Sequence, residues 1–552
     1  MLLRCVAAPP KRPRAGCLAH PNSALPLEVV VPKPTKFPNV TVVKRPQQAP
    51  KKGLTHRTLV GFFWSFSGTG AQAALQFLVL GILSRLITPE EFGLLNIANI
   101  ITVFAGLFSQ IGIGPALIQR STLTEDHIRS GYTLTLLLSA LFTGVAWLLA
   151  PTFASVFREI DQHMLASVMR GLSFLFIING VGLVARSLNH RNLNFRIKAR
   201  FGVTSYIVGF GIVGVALAFL GFGTWALVWA SLTQSAVSSL LFLRATPHAK
   251  SFQLKWSALS GLLRFGGGFT LGQVFNRIAN TSDNLIVGAT MGASATGLYG
   301  RAFQLMVLPS TYFGQVLDTV LFTSMAKVQD RPHTLGAVYR RGVVAIALIV
   351  LPLSAFMFVM APEIIRVLFG RQWDAVVPPF RIFAATMLFR TSYKMGDALS
   401  RAAGAVFRRA LRQFIFSVMV VLGAWFGHYG GITGVATGVS IAIAFNFFSM
   451  AQLSLQLTKM TWLELARIHL PALLVSGIVL AEAWVLAAIL RPFVLPELIT
   501  LLAAAGAVGA TYCALLWLSP TLFLGRDGMW IIQTLSGYLP YNLRRRFSFQ
   551  AR

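Results

Sequence analysis

Apolar stretches of about 20 residues recur along the chain from Leu59 onward, and short polar breaks separate them. A hydrocarbon core about 30 Å thick takes roughly 20 residues of α-helix to cross, so each stretch has the length of a transmembrane helix. We therefore predict an all-α polytopic membrane protein with fourteen transmembrane helices. Their predicted limits are 59–84, 93–118, 131–150, 171–188, 201–220, 223–243, 265–287, 297–323, 342–361, 380–400, 411–427, 431–456, 469–490 and 498–518.

The composition supports this class of protein over a soluble one. Hydrophobic residues make up 55% of the 552 residues and charged residues only 12%, whereas soluble domains carry about 25% charged residues. The net charge of +31 would suggest nucleic-acid binding in a soluble protein, but the apolar fraction excludes that reading. Three scattered cysteines, Cys5, Cys17 and Cys513, predict neither a disulfide framework nor a metal site, and no cofactor is expected.

The distribution of Lys and Arg predicts the orientation in the membrane. With the N-terminus in the cytoplasm, alternate connections place 37 basic residues on the cytoplasmic side and 7 on the outer side. Cytoplasmic loops of membrane proteins carry such an excess, so we predict that both termini are cytoplasmic. These totals count Arg186, Arg381 and Arg412, which lie within three residues of a span end, with the adjoining connections, and four basic residues remain deeper inside the predicted spans.

Both ends of the chain lie outside the predicted spans. Residues 1–58 contain 10 of the 25 prolines, 11 Lys or Arg and a single acid, Glu28, and no periodic apolar run. We expect a disordered cytoplasmic tail, either dispensable or in contact with anionic lipid. Residues 519–552 are expected to form a basic cytoplasmic segment.

An internal repeat is detectable at an offset of 204 residues. The shift places Gly93 on Gly297 and Ala98 on Ala302, and so aligns the first two spans with the seventh and eighth. Six spans separate the units, so the copies would be parallel, as in transporters whose substrate site lies between two halves. We predict two six-helix lobes, 59–243 and 265–456, followed by two further helices within 469–518.

Two predicted spans carry charged residues at helical spacing. Burying a charge at mid-bilayer costs roughly 2.5–3.5 kcal/mol, so each such residue is a functional hypothesis. The seventh span places Gln273, Arg277, Asn280 and Asn284 on one helix face, with Asn276 and Asp283 alongside, and the tenth repeats the spacing with Arg390, Lys394, Asp397 and Arg401.

These charges have two interpretations. Lys394, Asp397 and Arg401 are spaced to neutralise one another, and Arg301 in the eighth span could extend toward the interface. Alternatively they form a cationic cavity for an anionic substrate such as a diphosphate, which Arg binds in a bidentate manner. Polar residues of the first half, such as Gln72, Gln76 and Asn96, could contact a sugar or join helices.

Three blocks of sequence resemble a known family. They are SRLITPEEFGLLNIANIITVFAGLFSQIGIGPALIQR at 84–120, SDNLIVGATMGASATGLYGRAFQLMVLP at 282–309 and MAPEIIRVLFGRQWDAVVPPFRIF at 360–383. They resemble the Wzx-type polysaccharide flippases, particularly the WzxC-like branch of the multidrug/oligosaccharidyl-lipid/polysaccharide exporter superfamily. The resemblance extends over about 57–520.

The resemblance implies a transporter and not an enzyme. It would flip a polyprenyl-diphosphate-linked oligosaccharide across the bacterial inner membrane for lipopolysaccharide, exopolysaccharide or capsule synthesis. We expect a monomer in contact with membrane lipids, with a polysaccharide polymerase or co-polymerase as a possible partner. The expected diphosphate-binding residues are Arg277, Arg390, Lys394 and Arg301; the expected cavity or ion-coupling residues are Gln273, Asn276, Asn280, Asp283, Asn284, Asp397, Gln72 and Gln76.

Two alternatives remain open on the sequence. A cation-coupled multidrug antiporter of the same fold would need acidic residues in its cavity, and the first six spans contain no mid-span Asp or Glu. A membrane-embedded polymerase or ligase would need a sizeable polar loop outside the bilayer, and the predicted outer loops are at most about twenty residues long.

Overall fold

The computed structural model describes Gly70 and residues 74–120, 122–192, 194–249, 251–326, 332–493 and 495–536. The predicted disordered tail, 1–58, therefore lies outside the described residues. Within the described ranges the helices are α1 (Ala74–Leu86), α2 (Pro89–Gln110), α3 (Ile113–Gln119), α4 (Glu125–Ala154), α5 (Gln162–Arg191), α6 (Phe195–Tyr206), α7 (Val215–Phe219), α8 (Thr224–Ala245), α9 (Trp256–Ala326), α10 (Pro332–Val359), α11 (Ala361–Leu368), α12 (Val377–Ala402), α13 (Val406–Gly427), α14 (Gly431–Thr458), α15 (Trp462–Leu490), α16 (Glu497–Leu518) and α17 (Pro520–Ser536).

The all-helical, multi-pass character predicted from the sequence is confirmed for the described residues. Helical segments overlap all fourteen predicted ranges, but only nine stretches of the described residues are by themselves long and apolar enough to cross a membrane. Two of the predicted spans are interrupted. The helix of range 93–118 breaks at Ile111 and Gly112, whose φ angles are +40° and +60°, and α3 follows the break. A π-helical stretch, Ile207–Gly214, joins α6 to α7.

The start of α2 is determined by its first residues. The Thr88 hydroxyl accepts a hydrogen bond from the Glu91 amide at 3.3 Å, and the Glu91 carboxylate accepts one from the Thr88 amide at 2.8 Å. Pro89 occupies the first turn, where no amide donor is needed. This capping box satisfies free amides at the end of α2 that approaches α9.

The long helix α9 turns back on itself at Gly292. This glycine has φ +84°, a conformation that other residues rarely adopt. The Tyr299 hydroxyl donates to Asp283 Oδ2 at 2.8 Å, whereas residues 16 apart in a straight helix would be about 24 Å apart. We therefore treat α9 as two segments, α9a (256–291) and α9b (293–326), joined by a single residue.

The helices α2 and α9b approach each other without intervening side chains. A Cβ atom on Gly93 would lie 1.7 Å from the Ala293 carbonyl oxygen, and one on Gly297 would lie 1.9 Å from that of Pro89. The contact is reciprocal: Pro89 and Ala293, like Gly93 and Gly297, are 204 residues apart in the chain. Only glycine permits this separation at either position.

The opposite end of α2 also lies against α9. A Cβ atom on Gly112 would come within 2.4 Å of the Gly266 carbonyl oxygen, and one on Gly266 within 2.2 Å of that of Ile111. The left-handed conformation of Ile111 and Gly112 shapes the chain for this contact. Both ends of α2 are thus held close to α9.

The end of α1 is fixed by the segment between α11 and α12. The Trp373 indole donates to the Ser84 carbonyl oxygen at 2.8 Å, and Arg85 donates to that of Val367 at 3.0 Å. Trp373 is fully buried and packs edge-to-face on Phe92, with ring centroids 5.6 Å apart. This cluster joins α1 and α2 to the second half of the chain.

We predict that Gly93→Ala lowers the thermal unfolding midpoint of the purified protein, because the added methyl group overlaps the Ala293 carbonyl oxygen. Overpacking of this kind typically costs about 1–3 kcal/mol. Differential scanning fluorimetry in detergent measures the change. Gly144→Ala is the matched control, since a Cβ atom there meets open space and glycine in a helix interior is destabilising relative to alanine. A midpoint as high in Gly93→Ala as in Gly144→Ala would contradict the proposed packing constraint.

Candidate functional site

The two charged helix faces predicted from the sequence meet in the structure. They lie on α9a and α12, and Arg390 Nη2 donates a 2.7 Å hydrogen bond to Asn280 Oδ1. Arg390 is buried, with 8% of its surface exposed, and its guanidinium lies 5.8 Å from the centre of the Phe303 ring. A buried arginine is stabilised when such polar and aromatic partners surround it.

Ser310 on α9b is a second link to α12. Its hydroxyl donates to the Arg390 carbonyl oxygen at 3.2 Å, and its own carbonyl oxygen accepts a 2.7 Å hydrogen bond from Lys394 Nζ. Lys394 therefore points toward α9b, not along α12 toward Asp397. Ser310 could not be identified from the sequence, because an isolated serine in an apolar span gives no periodic signal.

Asp283 is the most deeply buried carboxylate of the candidate set, with 1% of its surface exposed. Its Oδ1 accepts from the Asn284 amide at 2.8 Å and from Asn284 Nδ2 at 3.2 Å, and its Oδ2 accepts from the Tyr299 hydroxyl. Within the described residues no basic group lies at ion-pair distance from it. Asp283 is thus satisfied by hydrogen bonds, and Tyr299 is a partner that the sequence analysis missed.

Asn284 extends the network to α2. Asn96 Nδ2 donates to Asn284 Oδ1 at 3.0 Å, across the contact between α2 and α9a. The sequence left two roles open for Asn96, contact with a sugar or a hydrogen bond between helices. The structure shows the hydrogen bond between helices. Asn96, Asn284, Asp283 and Tyr299 form a continuous chain of hydrogen bonds from α2 to α9b.

Arg277 differs from the other candidate cations. It is half-buried on α9a, and among the described residues its guanidinium makes no hydrogen bond and no ion pair. A guanidinium carries five donors, and placing it away from water without partners is unfavourable. Arg277 is therefore available to a ligand, whereas Arg390 and Lys394 already bind protein groups.

Arg301 lies apart from this group. Its guanidinium stacks on the Phe92 ring at 4.0 Å and donates to Gln304, and its buried Nε has no hydrogen-bond partner among the residues described. Asp397 pairs with Arg401 at 3.1 Å and with Arg409 on α13, so both of its oxygens are engaged. The spacing on the tenth span allowed the Asp397–Arg401 pair, but the sequence alone did not indicate Arg409.

The structure describes the side chain of only part of the remaining polar candidates. Gln76 is half-buried on α1, whereas Gln72 and the side chain of Asn276 lie outside the described residues. Glu482 on α15, which had no evident partner in the sequence, accepts a 2.9 Å hydrogen bond from Thr511. Within the described part of the chain, no group of three His, Cys, Asp or Glu residues could hold a metal ion.

Two cavities lie along α9a. The smaller, of about 300 Å³, includes polar side chains such as Gln110, Asn179 and Gln273 in its lining. The larger, of about 650 Å³, is apolar. Its lining combines α2, α4 and α5 residues with Ile278, Thr281, Ser282 and Leu285 of α9a. Arg277 lies between the α9a residues that line the smaller cavity and those that line the larger one.

Comparison with known proteins agrees with the family suggested by the sequence blocks. The lipopolysaccharide biosynthesis protein WzxC of Escherichia coli (strain K12) is 25% identical over 399 residues, which cover 71% of this chain and 80% of that protein. The succinoglycan biosynthesis transport protein ExoT of Rhizobium meliloti (strain 1021) is 27% identical over 58% of this chain and 64% of that protein.

A solved structure shares the fold. The lipid II flippase MurJ in an inward closed conformation superposes with a TM-score of 0.65 at 14% identity, covering 82% of this chain and 98% of that one. A family profile described as polysaccharide biosynthesis protein matches residues 82–378, more than half of the chain. The chain therefore belongs to the polysaccharide biosynthesis protein family.

Proposed function

We propose that the protein flips a polyprenyl-diphosphate-linked oligosaccharide from the cytoplasmic to the outer leaflet of a bacterial inner membrane, for the synthesis of lipopolysaccharide, exopolysaccharide or capsule. The position of Arg277 carries the proposal. This arginine has no partner among the described residues and lies between a cavity with polar lining and an apolar one. A diphosphate likewise lies between the sugar and the hydrocarbon chain of such a substrate.

Each part of the substrate has a place in this scheme. The diphosphate binds Arg277 first, because Arg guanidinium groups bind phosphate oxygens through parallel hydrogen bonds. Arg390 and Lys394 assist by exchanging Asn280 and the Ser310 carbonyl oxygen for phosphate, and Arg301 assists later in the cycle. The sugar occupies the polar cavity with Gln273, and a section of the polyprenyl chain occupies the apolar cavity.

Transport would proceed by alternating access between two lobes, 59–243 and 265–456, with the helices in 469–518 outside them. The reciprocal contact of Gly93 and Gly297 supports this division, because residues 204 positions apart meet across it, as expected for two parallel repeats. The lobes would part at one end of α2 while they stay closed at the other. Both termini would be cytoplasmic, and the chain would act as a monomer that delivers its product to a polysaccharide polymerase.

We predict that Arg277→Gln lowers polymer export about 10- to 100-fold at normal protein level, because a hydrogen bond to a charged group is worth about 1.5–3 kcal/mol. Export is measured as surface polysaccharide in cells that lack the wild-type protein. Arg277→Lys should retain part of the activity. Arg264→Gln is the control, since Arg264 is exposed on the same helix. Unchanged export in both Arg277→Gln and Arg390→Gln would overturn the diphosphate site.

Asp283 is proposed to couple transport to a proton or sodium gradient, because its buried carboxylate is held by hydrogen bonds and forms no ion pair with any described basic residue. We predict that Asp283→Asn makes transport in proteoliposomes insensitive to an imposed gradient, since an amide keeps the shape but binds no cation. Glu482→Gln, which alters another carboxylate within the helices, should keep the wild-type response. Gradient-dependent transport by Asp283→Asn would assign Asp283 a structural role instead.

The apolar cavity gives a steric test of the path of the polyprenyl chain. Ala105 lines this cavity, and we predict that Ala105→Trp fills it and strongly reduces export. Ala488→Trp is the matched control, because Ala488 is exposed on α15 away from both cavities. Normal export by Ala105→Trp at normal protein level would exclude this cavity from the path.

A cation-coupled multidrug antiporter remains the second candidate, and the buried Asp283 is the observation that favours it. Such an antiporter would confer resistance to cationic drugs, and Asp283→Asn would abolish that resistance. Drug susceptibility measured beside polymer export in the same strains separates the two functions.

A further inference from the structure

A group of basic side chains at the ends of α5 and α6 has no role in the site described above. Arg186 and His190 lie one turn apart on α5, and Lys198 lies on α6. The Asn194 amide donates to the Asn189 carbonyl oxygen at 3.4 Å, and the Lys198 amide donates to that of Asn194 at 3.2 Å, so the start of α6 lies beside the end of α5. The charges of Arg186 and Lys198 both act on the His190 ring. Three basic groups so close together repel one another unless an anion lies between them.

Arg186 is the half-buried member of this group. Its guanidinium lies over the Phe242 ring of α8, 5.8 Å from the centroid, and its buried Nε has no hydrogen-bond partner within the ranges that the structure describes. Phe242 is itself buried and packs against Phe201 of α6 at 5.1 Å. The guanidinium therefore packs against aromatic rings between α5, α6 and α8. Its N–H donors make no hydrogen bond to the described residues.

The neighbouring Arg191, in contrast, has a structural role, because its guanidinium binds backbone carbonyl oxygens. Its Nη1 donates to the carbonyl oxygens of Leu117, at 2.9 Å, and Ile118, at 3.1 Å, at the C-terminal end of α3. Arg186 and Lys198 make no such bonds to the described part of the chain, and no described Asp or Glu pairs with either. The general excess of basic residues on the cytoplasmic side explains their number, but it does not explain why the buried Nε of Arg186 has no partner among the described residues.

We propose that Arg186 and Lys198 form a binding site for a phosphate-bearing lipid headgroup at the cytoplasmic ends of α5, α6 and α8. Basic pockets between helices on this side of a membrane bind such headgroups. The placement rests on the orientation given under the proposed function. Arg186 lies seven residues after Asn179 of the polar cavity, on the same face of α5 and about 10 Å farther along it. A diphosphate lipid held there would wait at the entrance to the cavity.

The test uses the full-length protein carrying Arg277→Gln, so that central binding is weakened, in detergent. Binding of geranylgeranyl diphosphate and of phosphatidylglycerol is measured by native mass spectrometry. We expect added Arg186→Gln and Lys198→Gln to weaken binding of the diphosphate at least tenfold. Arg200→Gln, at an exposed residue of α6, should leave it unchanged.

Each outcome has a defined meaning. A tenfold loss for the diphosphate identifies the substrate as the source of the phosphate, and a loss confined to phosphatidylglycerol identifies a bulk lipid; both support the site. Unchanged binding of both lipids overturns it. Arg186→Lys retains a positive charge and should retain binding, and the unfolding midpoint of each variant shows that it is folded. Normal export by both Arg277→Gln and Arg390→Gln, together with loss of binding in the Arg186/Lys198 variant, would reject the central site alone.

Discussion

The closest approach of α2 and α9, at Gly93 and Gly297, is the contact on which the neighbouring interactions depend. With the helix backbones this close, Asn96 of α2 reaches Asn284 of α9a, and Phe92 lies both under Arg301 and against Trp373. A larger residue at either glycine would separate the helices and lengthen all of these contacts. The absence of a Cβ atom at Gly93 and at Gly297 therefore allows several polar and aromatic contacts to form.

The buried polar groups of α9 and α12 show how charge is accommodated between helices. Hydrogen bonds from Asn284 and Tyr299 satisfy Asp283, and Arg390 binds Asn280. Removing any one partner would leave a buried charge uncompensated, which is more unfavourable than the lost hydrogen bond. Arg277 is the exception among the described candidates, and this contrast gives it a different role from its neighbours.

The sequence predicted the helices and the polar faces better than the partners of each residue. Apolar length located the spans, and the spacing of four, three and four placed Asn280 and Arg390 on faces that do meet. Periodicity indicates the direction in which a side chain points from its own helix, but it does not indicate which helix lies opposite. For that reason Tyr299 and Ser310 were missed, and Arg301 lies on Phe92 and not beside Arg277. The cavities could not be predicted, since residues of four helices far apart in sequence line each of them.

The turn at Gly292 constrains how the second half of the chain can move. Because a single residue joins α9a to α9b, there is no slack in the chain between them. Tilting α9a must carry α9b with it, and the angle between the two is held by the bond from Tyr299 to Asp283. The single-residue turn and this hydrogen bond constrain the hairpin at two points, so we expect α9a and α9b to move together wherever the glycine contact with α2 shifts.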